Sequence, residues 1–233
     1  MQVIFTGGAD ADAFASLATW QSWVQNQDLE RALPRTALAF APITNRQHLL
    51  FPEESALVES SSDARKAAFS SGRFCAHEAM RVLGHTRSPV PRVERRPVWP
   101  PAMTGSITHS KTCAGAIVNA DAIQVGIDME QLNRLSPNLW QRVFRDEECD
   151  TLASLGDTPL VDAAFSAKEA VFKAVNPSVG EYIPFHDVSI EFEGDARFTA
   201  VYHGHDRRNR CMLTGRGVWR IFGHHVFTLF YIK

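Results

Sequence analysis

The chain has 233 residues, 45% of them hydrophobic and 21% charged, a composition that belongs to a folded globular protein and excludes general disorder. Twenty-four basic against 26 acidic residues leave a net charge of −2. That balance excludes a globally basic nucleic-acid binder but leaves room for a local basic patch around a phosphorylated ligand.

Taken in chain order, Gln2 to Phe5 reads as a short strand ending at Gly7-Gly8. From about Ala11 to Arg31, Phe14, Leu17, Trp20 and Val24 recur at helical intervals, which predicts a helix that sends Trp20 and Trp23 to the core. The segment carrying Pro34, Pro42 and Pro52 reads as loop with short elements. A clearer helix is predicted from about Ser62 to Leu83, capped by Ser62 or Asp63 and stopped at Gly84. Residues 87–105 are proline-rich and hold Arg87, Arg92, Arg95 and Arg96. Val98, Trp99 and Met103 make this an ordered loop around a site rather than a linker.

Two apolar runs, CAGAIVNA and IQVGIDME, read as neighbouring strands joined near Asn119-Ala120-Asp121. A helix-rich stretch from about Asn138 to Ala174 follows. The tail (VSIEFEG, FTAVYHG, CMLTG, VWRIFG, HVFTLFYIK) alternates as an antiparallel sheet. The expected fold class is α+β with two similar-sized lobes, divided as 1–120 and 121–233. The first residues show no basic, apolar targeting pattern, and no run approaches the ~20 apolar residues of a membrane span. Cys75, Cys113, Cys149 and Cys211 are scattered without a C-x-x-C pair, as reduced thiols in a cytoplasmic protein would be.

Four constellations carry chemistry. In Gly126-Ile127-Asp128-Met129-Glu130, strand periodicity puts Asp128 and Glu130 on one face, where two carboxylates invite a hard cation such as Mg²⁺. A solvated strand end is the alternative. In the helical run Phe165-Ser166-Ala167-Lys168-Glu169-Ala170-Val171-Phe172-Lys173, Glu169 and Lys173 share a face, with Phe165 and Phe172 on the opposite, buried side. An ordinary surface pair is the bland reading; a third acid with a phosphate-directed lysine is the sharper one. Gly105-Ser106-Ile107-Thr108-His109-Ser110 offers hydroxyls and an imidazole to a phosphate; a Ser–His nucleophile lacks a third partner there. Arg65 and Arg73 lie a little over two turns apart and project from one side of their helix. By contrast, His203, His205, His224 and His225 lack acid or cysteine partners and read as surface or turn residues.

In this order and spacing, R-x7-R, R-P-x-W-P, G-S-I-T-H-S, G-I-D-M-E and F-S-A-K-E-A-V-F-K resemble the 4′-phosphopantetheinyl transferase superfamily, in its long single-chain branch. The resemblance covers roughly residues 62–185. It implies two similar-sized, pseudo-twofold-related α/β lobes with coenzyme A in the cleft between them. It also implies transfer of the 4′-phosphopantetheine arm to a serine of an apo acyl, peptidyl or aryl carrier protein, releasing adenosine 3′,5′-bisphosphate. Position by position, Asp128, Glu130 and Glu169 match the Mg²⁺ site, and Lys173 matches the lysine on the phosphates. Thr108 and His109 match the pair that holds a nucleotide phosphate. Arg65, Arg73 and one or more of Arg92, Arg95 and Arg96 match the basic groups around the nucleotide, and Asp128 also faces the cofactor. Glu148 matches an acid with a base or positioning role in some members, and Glu169 is favoured over it as base. Many relatives have Ser where Thr108 stands, so the hydroxyl is kept. The expected partners are coenzyme A and the carrier, with no nucleic acid, and the chain is expected to be a monomer. The competing classes are a non-catalytic coenzyme A or nucleotide-binding module, which has no use for three acids, and a metal-dependent phosphohydrolase.

Overall fold

The computed structural model describes residues 1–6, 16–156, 158–204, 212 and 214–233. The strand end expected at Gly7-Gly8, the start of the first helix, His205, and Cys211 and Leu213 of CMLTG lie outside them. The described residues form two compact units, Met1–Ile123 and Gln124–Lys233. No helix among them is long and apolar enough to cross a membrane.

The first unit contains β1 (Gln2–Phe5), α1 (Leu17–Asn26), α2 (Leu29–Ala32), β2 (Thr36–Pro42), α3 (Pro52–Ser55), α4 (Asp63–Val82), β3 (Arg92–Val93), β4 (Arg96–Pro97), β5 (Thr104–His109) and β6 (Cys113–Asn119). Its main sheet runs β1-β2-β6-β5, with β1 parallel to β2 and the rest antiparallel. The one helix expected to Arg31 is two, because Asp28 adopts a left-handed φ of 52° and breaks the ladder. β2 corrects the loop expected around Pro34 and Pro42. Its sequence, TALAFAP, carries little strand propensity, since alanine is depleted in strands, yet six of its seven residues are buried.

Small side chains explain how α4 sits on this sheet. Cys75, Ala76, Ala79 and Met80 meet Ala37, Ala39 and Ala41 of β2 and Ala114, Ala116 and Val118 of β6, so the backbones approach closely. Ser62 caps α4 by accepting from Arg65 N at 3.4 Å, and Gly84 ends the segment with φ +78°. Alternation along β2 turns Phe40 to the other side, where it stacks on Phe5 at 5.6 Å and meets Trp20 at 4.7 Å between ring centroids. Both tryptophans of α1 are buried, as their spacing predicts.

CAGAIVNA and IQVGIDME are not neighbours: β6 pairs with β2 and β5, whereas the following strand belongs to the other sheet. The separation is local chemistry. Asn119 Oδ1 accepts from Asp121 N and Ile123 N, each at 2.9 Å, while its Nδ2 donates to Thr36 Oγ1 at 2.8 Å. With Ala122 at φ 57°, the chain is held to the first unit through Ile123, three residues beyond the division expected at 120.

The second unit contains β7 (Gln124–Gln131), α5 (Trp140–Val143), α6 (Asp146–Leu155), α7 (Thr158–Val179), β8 (Val188–Glu193), β9 (Arg197–Tyr202), β10 (Arg216–Phe222) and β11 (His225–Ile232). The sheet is antiparallel, in the order β7-β11-β10-β9-β8. Ala167, Ala170, Val171 and Ala174 of α7 pack with Phe198, Ala200 and Phe230 of the sheet. Phe165 and Phe172 are not on the buried side; both are half-buried and grip Phe185, at 6.0 and 4.9 Å between centroids.

Candidate functional site

Gly126 decides where the acids of the second unit go. A Cβ there would lie 2.0 Å from Ala170 O and 2.6 Å from Ala174 N, so only glycine lets α7 rest on β7 at this depth. Two residues on, on the same face of the strand, Asp128 reaches α7. Its Oδ2 accepts from Ser166 Oγ at 2.9 Å and its Oδ1 from Lys173 Nζ at 2.6 Å; Lys173 also donates to Ile127 O at 3.2 Å. Ser166 in turn shares a 2.9 Å contact with Thr228 Oγ1, whose residue is the register partner of Asp128 on β11. Ser166 and Thr228 were not singled out from sequence. The signal was available for Ser166, which lies seven residues, two turns, before Lys173.

The electrostatics of this corner are unbalanced. Burial, and then the neighbouring Asp128 carboxylate, push the Glu130 carboxyl up to about 7, even though Arg134 Nη1 lies 2.7 Å from its Oε2. Burial also raises the Glu169 carboxyl; the Lys173 ammonium opposes this and Asp128 adds to it. Burial pulls Lys173 down, but Asp128 and Glu169 outweigh that and leave its ammonium raised. The three expected metal ligands are thus coupled through charge. They are not a preformed triad: among the described residues no three His, Cys, Asp or Glu side chains converge closely enough to hold a metal. The reason is visible at Asp128, where Lys173 Nζ is the cation on Oδ1. The donor chemistry nevertheless suits a hard cation, because all the candidate ligands are carboxylate oxygens and burial raises two of them, Glu130 and Glu169.

Glu148 stands apart from that corner. It caps α6 by accepting from Arg145 N at 3.0 Å, accepts from Ile190 N of β8 at 3.2 Å, and pairs with Lys168 Nζ at 2.6 Å. Lys168, immediately before Glu169, is wholly buried, and also donates to Val143 O at 2.9 Å and Phe185 O at 3.1 Å. Sequence reading overlooked it because a lysine on a helix is normally solvated. The lone-histidine readings need one change: His225 is buried at the start of β11, whereas His203 accepts or donates a 2.7 Å bond with Ser189 Oγ.

In the first unit the basic groups gather around α4. Arg65 Nη1 lies 3.4 Å from His109 Nε2. Arg73 is buried; its guanidinium packs over Phe69 at 4.4 Å, and its Nε lies 3.9 Å from Glu54 Oε1 without a hydrogen bond to any described residue. Burial brings it down to about 10, Glu54 opposes that, and the fields of Arg92 and Arg65 add to it. Arg92 therefore belongs to this cluster. Arg96 pairs with Glu94 at 3.6 Å across the β3–β4 hairpin, and Arg95 is exposed at its turn. Thr108 and His109 do not share a face. Ile107 meets Gly72 of α4, so alternation turns His109 toward Arg65 and the buried Thr108 to the opposite side.

Glu54 organises this cluster from within. It is fully buried, and its Oε1 accepts from His77 Nε2 at 2.9 Å and Val90 N at 2.8 Å, while Oε2 accepts from Phe51 N at 3.0 Å.

Comparison with known proteins is consistent along the chain. Residues 53–119 match the 4′-phosphopantetheinyl transferase N-terminal domain and residues 124–219 the 4′-phosphopantetheinyl transferase superfamily. The chain is 37% identical over 160 residues to 4′-phosphopantetheinyl transferase Svp of Streptomyces mobaraensis, covering 65% of each. It is 31% identical over 182 residues to 4′-phosphopantetheinyl transferase PptT of Mycobacterium tuberculosis, covering 73% of this chain and 80% of that one. With enterobactin synthase component D of Salmonella typhimurium the identity is 34% over 142 residues, 58% of each chain. The match thus spans just under two thirds of the Streptomyces relative.

Proposed function

Since the chain belongs to the 4′-phosphopantetheinyl transferase superfamily, we propose that it moves the 4′-phosphopantetheine arm of coenzyme A to a serine of an apo carrier protein and releases adenosine 3′,5′-bisphosphate. The observation that supports this reading is that each of the family's two matched segments holds a charge imbalance of its own. An underbonded arginine cluster lies in the first and a buried, cation-short acidic corner in the second. Arg65, Arg73, Arg92 and His109 are read as holding the phosphates of the nucleotide, with the remaining hairpin arginines, Arg95 and Arg96, and the Thr108 hydroxyl outside that group. Lys173 is read as countering the charge of the pyrophosphate.

Mg²⁺ is the proposed cofactor; held by Asp128, Glu130 and Glu169, it would supply further charge neutralisation at the pyrophosphate. The protein's own work is orientation and proton transfer. Ser166 and Lys173 fix the two oxygens of Asp128. Glu169, raised by burial, takes the proton of the attacking serine hydroxyl as the new P–O bond forms and the phosphoanhydride P–O bond breaks. Lys173, held protonated by its carboxylate neighbours, stabilises the departing bisphosphate. A cytoplasmic, monomeric enzyme is part of the same proposal.

The test is intact-mass spectrometry of apo acyl and peptidyl carriers incubated with coenzyme A and Mg²⁺. The wild type is expected to add one phosphopantetheine. Glu169→Gln is expected to lose about 10²–10⁴-fold in rate, the usual size of a general-base contribution, while still binding coenzyme A. A wild type that modifies no carrier overturns the transferase reading. An active Glu169→Gln overturns only the assignment of the base.

A further inference from the structure

Lys168 has no role in the reaction just proposed, yet among the described residues of the second unit it is a wholly buried cation. Its Nζ has three acceptors, Val143 O at the end of α5, Glu148 Oε2 on α6 and Phe185 O in the turn before β8, so each ammonium proton is used. The ring of Phe144 lies 5.2 Å away. Glu148 is engaged as fully, by Lys168, Arg145 N and Ile190 N. Together the two side chains join five pieces of chain. Burial lowers the Lys168 ammonium against the pull of Glu148, which is the cost of placing it there, and a solvated surface lysine would avoid that cost.

Helix geometry says what this tether acts on. At 100° per residue, Lys168 lies about 160° around α7 from Ala170 and 120° from Ala174, the contacts under Gly126. One side of α7 is therefore fixed on β7 and another by Lys168. Glu169 and Lys173, only 40° apart, occupy the stripe between. Glu148, 13% exposed, borders a cavity of about 600 Å³ lined also by Leu152, Leu160, Ile190, Phe192 and His203. Asp128, Glu130, Glu169 and Lys173 are not among the residues lining that cavity.

We infer that Lys168 and Glu148 are a positioning pair that sets the rotation of α7 and thereby aims Glu169 and Lys173, and that neither exchanges a proton with substrate. This rests on the transferase reading for what Glu169 and Lys173 do. It removes Glu148 as a competing base: a carboxylate with three donors on it has been placed to hold chain, not to receive a hydroxyl.

The test uses the full chain, a carrier that the wild type modifies, and three variants. K168M breaks the tether and leaves Glu148 buried without its cation. E148Q/K168Q replaces the pair with two amides that can bond each other and keep part of the tether, the single Gln oxygen at 148 accepting from Arg145 N or from Ile190 N but not both, and that cannot act as acid or base. Assayed well below each melting temperature, K168M is expected to lose about 100-fold in kcat, the effect of an ångström-scale misplacement, with KM for coenzyme A little changed. The amide pair, which keeps part of the tether and leaves no buried unpaired charge, is expected to recover kcat to within about tenfold of wild type. A folded amide pair as inactive as Glu169→Gln would overturn the inference by showing a chemical role. A K168M whose melting temperature falls while kcat is untouched would overturn it by showing a role in stability alone. Should K168M not fold, E148Q decides: a loss under about tenfold supports positioning, and a loss matching Glu169→Gln overturns it. A wild type that modifies no carrier bears on the transferase reading instead.

Discussion

In the first unit a guanidinium is buried beside one carboxylate that already serves three other donors; in the second a half-buried ammonium pairs with one carboxylate, Asp128, in a corner that holds two more. Arg73 is left with a buried N–H that no described residue accepts, next to the fields of Arg65 and Arg92. Burial raises the carboxyls of Glu130, to about 7, and of Glu169. A fold selected for stability alone would resolve both, since an unpaired buried donor costs about 1–3 kcal/mol and a buried pair can usually be replaced by apolar side chains. The imbalance has opposite sign in the two units. An anion would offset the first and a cation the second.

The strongest way to break this comparison removes no charge at all. Gly126→Ala would press a methyl group into the backbone of α7, 2.0 Å from Ala170 O. Neither backbone can yield as a side-chain tip would. Overpacking costs about 1–3 kcal/mol in a core, and a backbone-to-backbone clash belongs at the top of that range or above it. Denaturant unfolding is expected to show the loss, and transfer activity is expected to disappear with it, because Asp128 is carried on the same strand face. An alanine variant with normal stability and activity would mean that α7 does not need this depth, and the account of how Asp128 meets Ser166 and Lys173 would fail with it.

A smaller effect belongs to the basic cluster. Arg73→Met keeps most of the stem that packs on Phe69 but removes the donors. Loss of a hydrogen bond to a charged group is worth about 1.5–3 kcal/mol, so coenzyme A affinity, measured by calorimetry, is expected to fall about 10–150-fold. The rate at saturating coenzyme A should change little, because Arg73 touches no group proposed to move a proton. An unchanged affinity would assign Arg73 to packing and leave Arg65, Arg92 and His109 as the anion site.

How much of this was legible in the sequence follows from which interactions are local. The cap at Ser62, the glycine stop at Gly84 and the periodicity of α4 are properties of neighbouring residues, and they read correctly. So did the alternation that puts Asp128 and Glu130 on one face, and the five motifs that carried the family. β2 did not, since its strand character comes from being buried between β1 and β6 rather than from TALAFAP itself. The join between β6 and β7 was misread because two apolar runs separated by a turn look like a hairpin. Only the side chain of Asn119, bonding to Asp121 and Ile123, reveals that the chain is passing to another sheet. Lys168 and Glu54 were missed for a related reason: each is a charged residue whose partners, Phe51 N apart, lie 17 to 36 positions away. Gly126 stood inside a quoted motif, but the need for glycine becomes visible only when Ala170 is set against it.

The least disruptive test concerns Glu54, the hub beneath Arg73. Burial favours its protonated form, but the bonds from His77, Val90 N and Phe51 N outweigh that and hold the carboxyl below its ordinary value of 4.5. Its folded value is therefore depressed relative to the unfolded chain. In the window between the two, the unfolded state binds more protons, so stability is lost as pH falls. The contribution is complete above about 4.5, the unfolded value, and disappears as pH drops through the folded one. Glu54→Gln keeps an acceptor and removes the titration. Wild type is expected to be the more stable near pH 7, by an amount on the order of 1.5 kcal/mol for a charge-assisted bond, with the advantage shrinking steadily from pH 5 to pH 3 in thermal melts. A gap that stays constant across that range would mean that Glu54 enters the fold already protonated. The first unit would then hold no buried carboxylate against Arg73, and its excess of positive charge would be larger than the structure implies.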